Sequence, residues 1–526
     1  MRTCFDDIKN TLWKAAGTFR GTIDAANYKD FVLSMLFLKY LDDTYEEYLL
    51  RLQKKYGNNT IRIERAKRNL PFILEHSQRF GYLYDNRFDV QIGVKINEAL
   101  RGIEEGNPEL RGVFRSIDFN SEAMLGNTKQ KNTKLRTLLE DFEPLDLKPS
   151  DIEIERDKTP ADIIGDAYEY MIGEFASEAG KKAGSFFTPT MVSELMARLT
   201  APRNDEEIYD PTCGSASLLI RTAKQADIDK VAIFGQDMNG SSWSMARMNL
   251  FIHDIHVDSR NIAWGDSLAN PMHLDSDGNL KQFDVIVANM PFSQDKWAEG
   301  FNPGGEQGGS EGGKKKFTMA ANLDKYHRFD WGVPPASKGD WAFLLHMIYS
   351  LKSNGRMAAV VPHGVLFRGA SEGRIRQIVV ERNLLDAVIG LPANLFYGTS
   401  IPACILVFKK NRSTDDVLFI DASGKEENGS LRYKKDKTQN KLEEKNITDI
   451  IDAYKSRSDI DKFAHLASFD EIKGNDFNLN IPRYVDTFEE EEIIDIEEVQ
   501  GKIASIKAEL DDVEAQMDKY IKELGL

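Results

Sequence analysis

The segment with the clearest chemical meaning is Asn289-Met290-Pro291-Phe292, which directly follows the apolar run at 283–288. An amino group conjugated with a purine ring is a poor nucleophile because its lone pair is delocalised into the ring. An amide oxygen and a backbone carbonyl that accept its two N–H groups favour the pyramidal nitrogen that attacks a methyl group. Phe292 offers a stacking face for a base removed from its duplex. The segment therefore predicts methyl transfer to such an amino group, although Asn and Pro also form ordinary β-turns.

Polar turns follow three predicted strands upstream of this segment. The turn from Asp210 to Ser217 consists of small residues and opens an apolar helix, so a ligand can approach the backbone and the helix N-terminus favours a carboxylate. Asp237 ends the next strand, where an acid accepts ribose hydroxyls, and Asp266 follows a third strand, where it would bond an adenine amino group. Taken singly, Asp237 is more often a helix cap, and Asp266 is equally typical of one. Because the turns lack GxGxxG, a dinucleotide is disfavoured.

The elements that must position these turns alternate between short apolar runs and helix-length connections from about 159 to 410. The apolar runs are 207–210, 231–235, 283–288, 356–362, 385–391 and 404–408. This alternation predicts an α/β fold with a mostly parallel, Rossmann-like sheet covered on both faces. Ligands bind at the carboxyl ends of the strands in such sheets, so we expect the four turns to converge there.

Helical segments flank this region on both sides. Phe31, Met35, Leu38 and Leu41 follow a spacing of three and four, and Asp24 is a plausible helix start. We predict a helical domain at 1–150, a methyltransferase domain at 151–412, its extension at 413–485 and a long helix at 486–526. The last helix carries an apolar seam typical of coiled coils, which packs either on the N-terminal helices or on a partner's helix. Its residues are Ile496, Val499, Ile503, Ile506, Leu510, Val513, Met517, Tyr520 and Leu524.

Composition narrows the setting in which the protein works. The net charge of −16, concentrated partly at 489–498, argues against a DNA binder that acts alone and suits a subunit with partners. Cys4, Cys213 and Cys404 are far apart, which excludes a disulfide framework and a structural zinc site. The N-terminal residues lack the apolar core of a signal peptide, and the sequence lacks an apolar run of roughly 20 residues that would span a membrane. We therefore expect a soluble, cytoplasmic protein, with a mobile Gly-rich loop at 300–316.

Motifs along almost the whole chain resemble those of the modification (methylation) subunits of type I restriction-modification systems, which are N6-adenine DNA methyltransferases. The matching segments are 12–16, 20–21, 28–30, 37–40, 165–170, 184–190, 210–215, 289–292, 331–335, 340–343 and 362–367.

The resemblance implies specific roles for site residues. S-adenosylmethionine would be surrounded by Ser185, Phe186, Phe187, Thr188, Pro189, Thr190, Asp210, Gly214, Ser215, Ala216, Ser217 and Asp237, with Asp266 near its adenine. Asn289 and the carbonyl of Met290 would hold the target amino group, and Pro291 belongs to the same catalytic segment. Phe292 would stack on a flipped adenine. The family's reaction implies neither a metal nor a general base.

The resemblance also implies partners. In the family a separate specificity subunit recognises the sequence in duplex DNA, two modification subunits join one specificity subunit, and a motor-nuclease subunit adds restriction. Such an assembly would explain the acidic charge of this chain and its lack of an obvious recognition domain.

Two departures from the family pattern leave alternatives open. Met290 stands where the family usually has Pro, which removes some rigidity, and Ala216-Ser217 replace a Gly-rich ending at some cost in backbone freedom. One alternative is a structural subunit that binds cofactor and clamps DNA without turnover. A second is a methyltransferase of protein glutamine or ribosomal RNA, a class that shares Asn-Pro-Pro-aromatic but usually lacks the helical front and coiled tail.

Overall fold

The protein is described here from a computed structural model, in two units, Met1–Val485 and Asp486–Leu526. The described residues are 2–155, 158–180, 187–255, 258, 260–302, 318–426, 428–436, 439–486 and 496–524. Ser185 and Phe186, expected at the cofactor site, lie outside them, as does most of the Gly-rich stretch at 300–316.

The N-terminal part of the first unit is helical, as the sequence predicts. Its helices are α1 (Phe5–Gly17), α2 (Ala25–Tyr56), α3 (Thr60–Lys67), α4 (Phe80–Asp85), α5 (Ile92–Gly106), α6 (Glu122–Leu125), α7 (Thr128–Phe142) and α8 (Pro160–Ala179). Asp24 caps α2 by accepting the backbone N–H of Ala26. Helix α8 belongs to the same hydrophobic core, where Phe175 meets the ring of Tyr28 edge-on at 5.5 Å.

The described part of the chain forms one nine-stranded sheet in the order β3-β2-β1-β4-β5-β7-β6-β8-β9. The strands are β1 (Glu207–Asp210), β2 (Ala232–Asp237), β3 (Ile262–Trp264), β4 (Phe283–Asn289), β5 (Leu351–Pro362), β6 (Leu385–Gly390), β7 (Ala403–Lys409), β8 (Val417–Asp421) and β9 (Ala464–Ala467). Strands β7 and β9 run antiparallel to their neighbours, and the other strands share one direction. This confirms the predicted α/β, mostly parallel fold.

Helices cover both faces of the sheet. They are α9 (Thr190–Thr200), α10 (Ser217–Ala223), α11 (Gly240–Ile252), α12 (Asp340–Tyr349), α13 (Ala370–Glu381), α14 (Glu444–Ser456) and α15 (Phe469–Gly474). One hydrophobic core joins the sheet to α9, α10, α11 and α14, and another joins it to α12, α13 and α15. Alternate residues of β4 reach the two cores: Val285 and Val287 enter the first, and Ile286 and Ala288 the second.

The shared strand direction decides where functional side chains gather. Asp210, Asp237, Asn289 and Gly390 are the last residues of β1, β2, β4 and β6. Because these strands run the same way, the four residues lie along one edge of the sheet, which we call the carboxyl edge.

The second unit contains helix α16 (Ile496–Leu524), as the C-terminal seam predicts. The described large apolar side chains from Val499 to Leu524 are exposed, including Ile506 at 63% and Leu510 at 55%. Within the described residues, every helix is too short or too polar to cross a bilayer.

Candidate active site

Two cavities meet at the carboxyl edge beside the Asn289 segment. The acidic cavity, about 380 Å³, is lined by Pro211, Thr212, Asp237, Met238, Asn239, Asp266, Ser267, Leu268, Asn289, Pro291, Gln294, Trp297 and Phe343. The aromatic cavity, about 390 Å³, is lined by Phe187, Asn289, Met290, Pro291, Phe292, Phe396, Tyr397, Gly398, Thr399 and Ile401. Asn289 and Pro291 line both, so a group held at Asn289 faces the contents of each cavity.

Thr188 fixes the amide of Asn289. The Asn289 Nδ2 donates a hydrogen bond to Thr188 Oγ1 at 3.1 Å. An amide whose NH₂ donates in this way leaves its oxygen as an acceptor for another N–H donor. This contact gives the Thr188-Pro189 segment before β1 a physical role, because it orients the side chain at the end of β4.

The walls of the aromatic cavity are ring pairs that come from distant parts of the chain. Phe292 meets Phe396 at 5.6 Å between ring centroids in an edge-on arrangement, and Phe187 lies 5.6 Å from Tyr397. Such aromatic pairs are mutually stabilising. The cavity therefore presents flat apolar surfaces that suit a planar ring.

The loop between β6 and β7 is the part of the site that the sequence interpretation missed. Phe396, Tyr397, Gly398, Thr399 and Ile401 all line the aromatic cavity. The available signal was the run of aromatic residues and glycine shortly after a predicted strand. That run gains meaning only when β6 is known to point the same way as β4.

The turn after β1 forms a narrow cleft next to Asn289. The cleft is lined by Phe187, Thr188, Asp210, Thr212, Cys213, Gly214, Ser215, Ser217, Leu218 and Asn289. Gly214 and Ala216 both have positive φ, +53° and +62°, so the expected backbone cost at Ala216 is real. Gly214 N–H donates to Asp237 Oδ2 at 2.9 Å and joins this turn to the end of β2.

The acids at the strand ends are buried, and burial changes their protonation. Loss of solvation raises the pKa of Asp237 to about 6, opposed by hydrogen bonds from the backbone N–H groups of Asn239 and Gly214. Burial likewise raises the pKa of Asp210 to about 8.

Asp266 accepts the N–H groups of Leu268 and Ala269, as a cap does, while it also lines the acidic cavity. The two interpretations of Asp266 are therefore compatible.

Side chains of helices α8 and α11 are hydrogen-bonded to each other and to the turn after β1. Asn249 Nδ2 donates to the Ser215 carbonyl at 3.0 Å and to Glu169 Oε1 at 3.3 Å. Gly165 allows this contact between helices, because a Cβ at that position would lie 2.4 Å from the ring of His253. The 165–170 motif thus acts through packing on α11.

A buried carboxylate holds the end of the Asn289 segment. Asp340, the first residue of α12, accepts the backbone N–H of Ser293 at 2.7 Å, and Arg368 Nη1 donates to it at 3.0 Å. Ser293 directly follows Phe292 and has φ +51°. A left-handed residue with a side chain is unfavourable by itself, so this bond helps to fix the loop.

Arg328 plays a similar part on the acidic cavity's side. It is fully buried, and its guanidinium donates to the Leu268 carbonyl at 2.5 Å and to Asp324 Oδ1 at 2.8 Å. His346 Nδ1 lies 3.0 Å from Nη1 of the Arg328 guanidinium. Burial and Arg328 hold the pKa of His346 well below its ordinary value, so this ring is neutral. The Asp266 turn is therefore anchored to the core.

The structure brings together most of the residues predicted for the site. Those that line the acidic cavity, the aromatic cavity or the narrow cleft are Phe187, Thr188, Asp210, Gly214, Ser215, Ser217, Asp237, Asp266, Asn289, Met290, Pro291 and Phe292. Three predicted residues in the described part of the chain do not line either cavity or the cleft. Pro189 is the N-cap residue of α9, Thr190 is its first residue, and Ala216 is the buried N-cap residue of α10. The Met290 side chain packs into the hydrophobic core beside α12.

A mostly parallel sheet with Asn-X-Pro-Phe between an acidic and an aromatic cavity defines a methyltransferase that acts on amino groups. The model of the N-6 DNA methylase family matches residues 159–493, and that of the HsdM N-terminal domain matches residues 8–142. The chain belongs to this family, among the methylase subunits of type I restriction enzymes, and is an adenine-specific DNA methyltransferase.

Individual relatives agree with this assignment. The type I restriction enzyme MpnII methylase subunit of Mycoplasma pneumoniae is 32% identical over 98% of this chain and 96% of its own length. The MjaVIII methylase subunit of Methanocaldococcus jannaschii is 32% identical over 80% of this chain and 71% of its own. The crystal structure of the type I methyltransferase subunit from Streptococcus thermophilus is 34% identical, covers 92% of this chain and 100% of its own, and superposes with a TM-score of 0.77.

Proposed function

We propose that the acidic cavity holds S-adenosylmethionine, that the aromatic cavity holds an adenine flipped out of duplex DNA, and that methyl transfer takes place at Asn289. The observation that carries this proposal is that Asn289 and Pro291 line both cavities. A donor in one cavity and an acceptor in the other would meet at these two residues.

The residues at the acidic cavity fit such a donor. Asp237 is a buried carboxylate that lines the cavity and suits a ribose diol, and the small-residue turn after β1 admits close approach of an amino-acid group. Asp266, which also lines the acidic cavity, suits an adenine amino group. When bound, S-adenosylmethionine supplies a methyl group activated by its sulfonium.

The chain's own groups prepare the acceptor. The oxygen of Asn289 and the carbonyl of Met290 accept the two N–H groups of the target, which draws the nitrogen lone pair out of the ring. Phe292 provides the stacking face, and stacking offsets part of the cost of removing the base from the duplex. The surplus proton leaves after transfer, so no general base is needed.

We further propose that the protein works in an assembly. A specificity subunit supplies sequence recognition, two copies of this chain join one such subunit, and a motor-nuclease subunit adds restriction. The exposed apolar seam of α16 supports docking on helices of the specificity subunit. The acidic net charge supports reliance on partners for DNA binding.

The test is product analysis with the purified chain and its specificity subunit. We expect labelled methyl in duplex DNA to be recovered as N6-methyladenine. The Asn289→Ala complex should assemble normally and yield at least about a hundredfold less product, because an oriented acceptor contributes on this scale. Asn58→Ala, a change of the same type at an exposed site in the helical part, should leave the yield unchanged. Product formation by Asn289→Ala at the normal rate, or label in protein instead of DNA, would refute the proposal.

A further inference from the structure

A short basic hairpin stands beside the aromatic cavity. In the described residues 431–436 and 439–441, Arg432, Lys434, Lys435 and Lys441 accompany a single acid, Asp436. Arg432 is committed to the fold, because its guanidinium lies 3.9 Å over the ring of Phe463. The three lysines are exposed, and we call them the lysine strip.

The topology brings this hairpin to the carboxyl edge. It follows β8, which is parallel to β6, and Ala422 N–H donates to the carbonyl of Gly390 at the end of β6. The chain therefore leaves the sheet at the same edge as Asn289.

Hydrogen bonds then attach the hairpin to the wall of the aromatic cavity. Asn440 donates through its backbone N–H to the Asn394 carbonyl and through Nδ2 to the Ala393 carbonyl, both at 2.8 Å. Gln439 Nε2 donates to the Leu395 carbonyl at 2.5 Å. Residue 396, the next in the chain, is the phenylalanine that contacts Phe292. The hairpin is thus fixed to the loop that forms the cavity.

The pairing within the hairpin places like charges together. Lys434 and Lys441 exchange both backbone hydrogen bonds, at 2.9 and 3.0 Å, so their side chains share one face. Like charges directly opposite are unfavourable. Exposed ion pairs with Glu443, 3.1 Å from Lys434, and Asp436, 3.0 Å from Lys441, relieve this repulsion only weakly. A polyanion across this face would relieve it further.

We propose that the lysine strip binds the DNA phosphates that flank the flipped adenine; this inference rests on the proposed function of the aromatic cavity. A nucleotide that turns its base into the cavity keeps its backbone at the cavity mouth. Phosphate contacts position a duplex without reading its sequence, which suits a chain whose sequence recognition comes from another subunit. The strip supplies local positive charge in a chain of net charge −16.

The experiment measures how salt affects DNA binding by the complete complex with its specificity subunit. Lys434→Gln/Lys435→Gln/Lys441→Gln should lower the slope of log affinity against log salt by about two to three, since each phosphate contact contributes about 0.9. KM for DNA should rise at least about tenfold, while kcat at saturating DNA and the affinity for S-adenosylmethionine stay within about twofold. Replacing the same lysines by Arg should restore the slope, which separates charge from folding.

Lys230→Gln is the matched control. Lys230 is 56% exposed and ion-paired with Asp227, much as Lys434 is 63% exposed and paired with Glu443, but it lies just before β2 at the opposite edge of the sheet. An unchanged salt slope in the triple variant would overturn the inference, and so would loss of the specificity subunit from that variant, which would mark a protein interface. Failure of the proposed function is distinct, because the unaltered complex would then methylate no adenine.

Discussion

At the scale of single residues, hydrogen bonds fix two side chains at the carboxyl edge in orientations that suit a ligand. Asn289 is the clearest case, because its NH₂ group donates a hydrogen bond to Thr188 Oγ1 and its oxygen remains as an acceptor for a ligand. Asp237 is held at both oxygens, because the Gly214 N–H donates to Oδ2 and the Asn239 N–H donates to Oδ1, so its carboxylate is fixed at the wall of the acidic cavity.

The raised pKa of Asp237 predicts a pH dependence of cofactor binding. With a pKa of about 6, the carboxyl is mostly protonated at about pH 5 and ionised at about pH 7. Only the ionised form accepts both ribose hydroxyls, so the affinity for S-adenosylmethionine should increase about tenfold between these values. Calorimetric titration of the chain checks this. Asp210, with a pKa of about 8, stays protonated across most of this interval.

Asp237→Asn provides the comparison for that titration. The amide accepts fewer hydrogen bonds and has no proton to lose, so the variant should bind more weakly and equally across the interval. A pH dependence that survives in Asp237→Asn would assign the titration to another group.

A second prediction at this scale concerns Phe396. Phe396 holds the ring of Phe292 edge-on, and stacking on a base is worth about 1–3 kcal/mol, so Phe396→Ala should raise KM for DNA about five- to a hundredfold. Its affinity for S-adenosylmethionine should not change, because Phe396 lines only the aromatic cavity of the two. Phe88→Ala, at an exposed ring in the helical part, should leave both constants unchanged. Steady-state kinetics with DNA and S-adenosylmethionine varied separately measure the two constants. A weaker affinity for S-adenosylmethionine in Phe396→Ala would contradict this prediction.

At the scale of elements, local sequence predicted the strands that end at the site and their polar ends, but it did not predict β8 and β9, and long-range contacts completed the site. The strand that ends at Asn289 and the turns with Asp210 and Asp237 followed from apolar runs and small residues. The role of Asp340 did not, because its partner Ser293 is far away in sequence. The β6–β7 loop was missed for a related reason. Its place beside Phe292 depends on β7 inserting antiparallel between β5 and β6, and no local pattern encodes that order.

Close packing of α8 on α11 gives a prediction for stability. A Cβ added at Gly165 would lie 2.4 Å from the His253 ring, so Gly165→Ala should destabilise the fold by about 1–3 kcal/mol. Gly81→Ala, in helix α4 with open space around it, should be neutral or slightly stabilising. Thermal or urea unfolding of the two variants measures the difference. Equal stability of Gly165→Ala and Gly81→Ala would mean that the backbone at Gly165 does not approach the His253 ring this closely.

At the scale of the whole molecule, the exposed seam of α16 predicts how the subunit assembles. Leu510→Asp puts a charge into the seam and should prevent co-purification with the specificity subunit, as should deletion of the residues after 495. Ala508→Asp, on the opposite face of the same helix, should leave assembly intact. Both point variants should unfold at the normal temperature. Loss of stability in isolated Leu510→Asp would indicate that the seam packs internally on this chain instead.

We propose that Asn289 acts on the chemical step between two separately bound ligands. The test is single-turnover methyl transfer with S-adenosylmethionine and duplex DNA both saturating and their dissociation constants measured in parallel. We predict that Asn289→Ala binds both ligands within about threefold of normal and transfers methyl at least about a hundredfold more slowly. A variant that transfers at the normal rate once both ligands are bound, or whose defect is entirely one of binding, would show that Asn289 does not act on the chemical step.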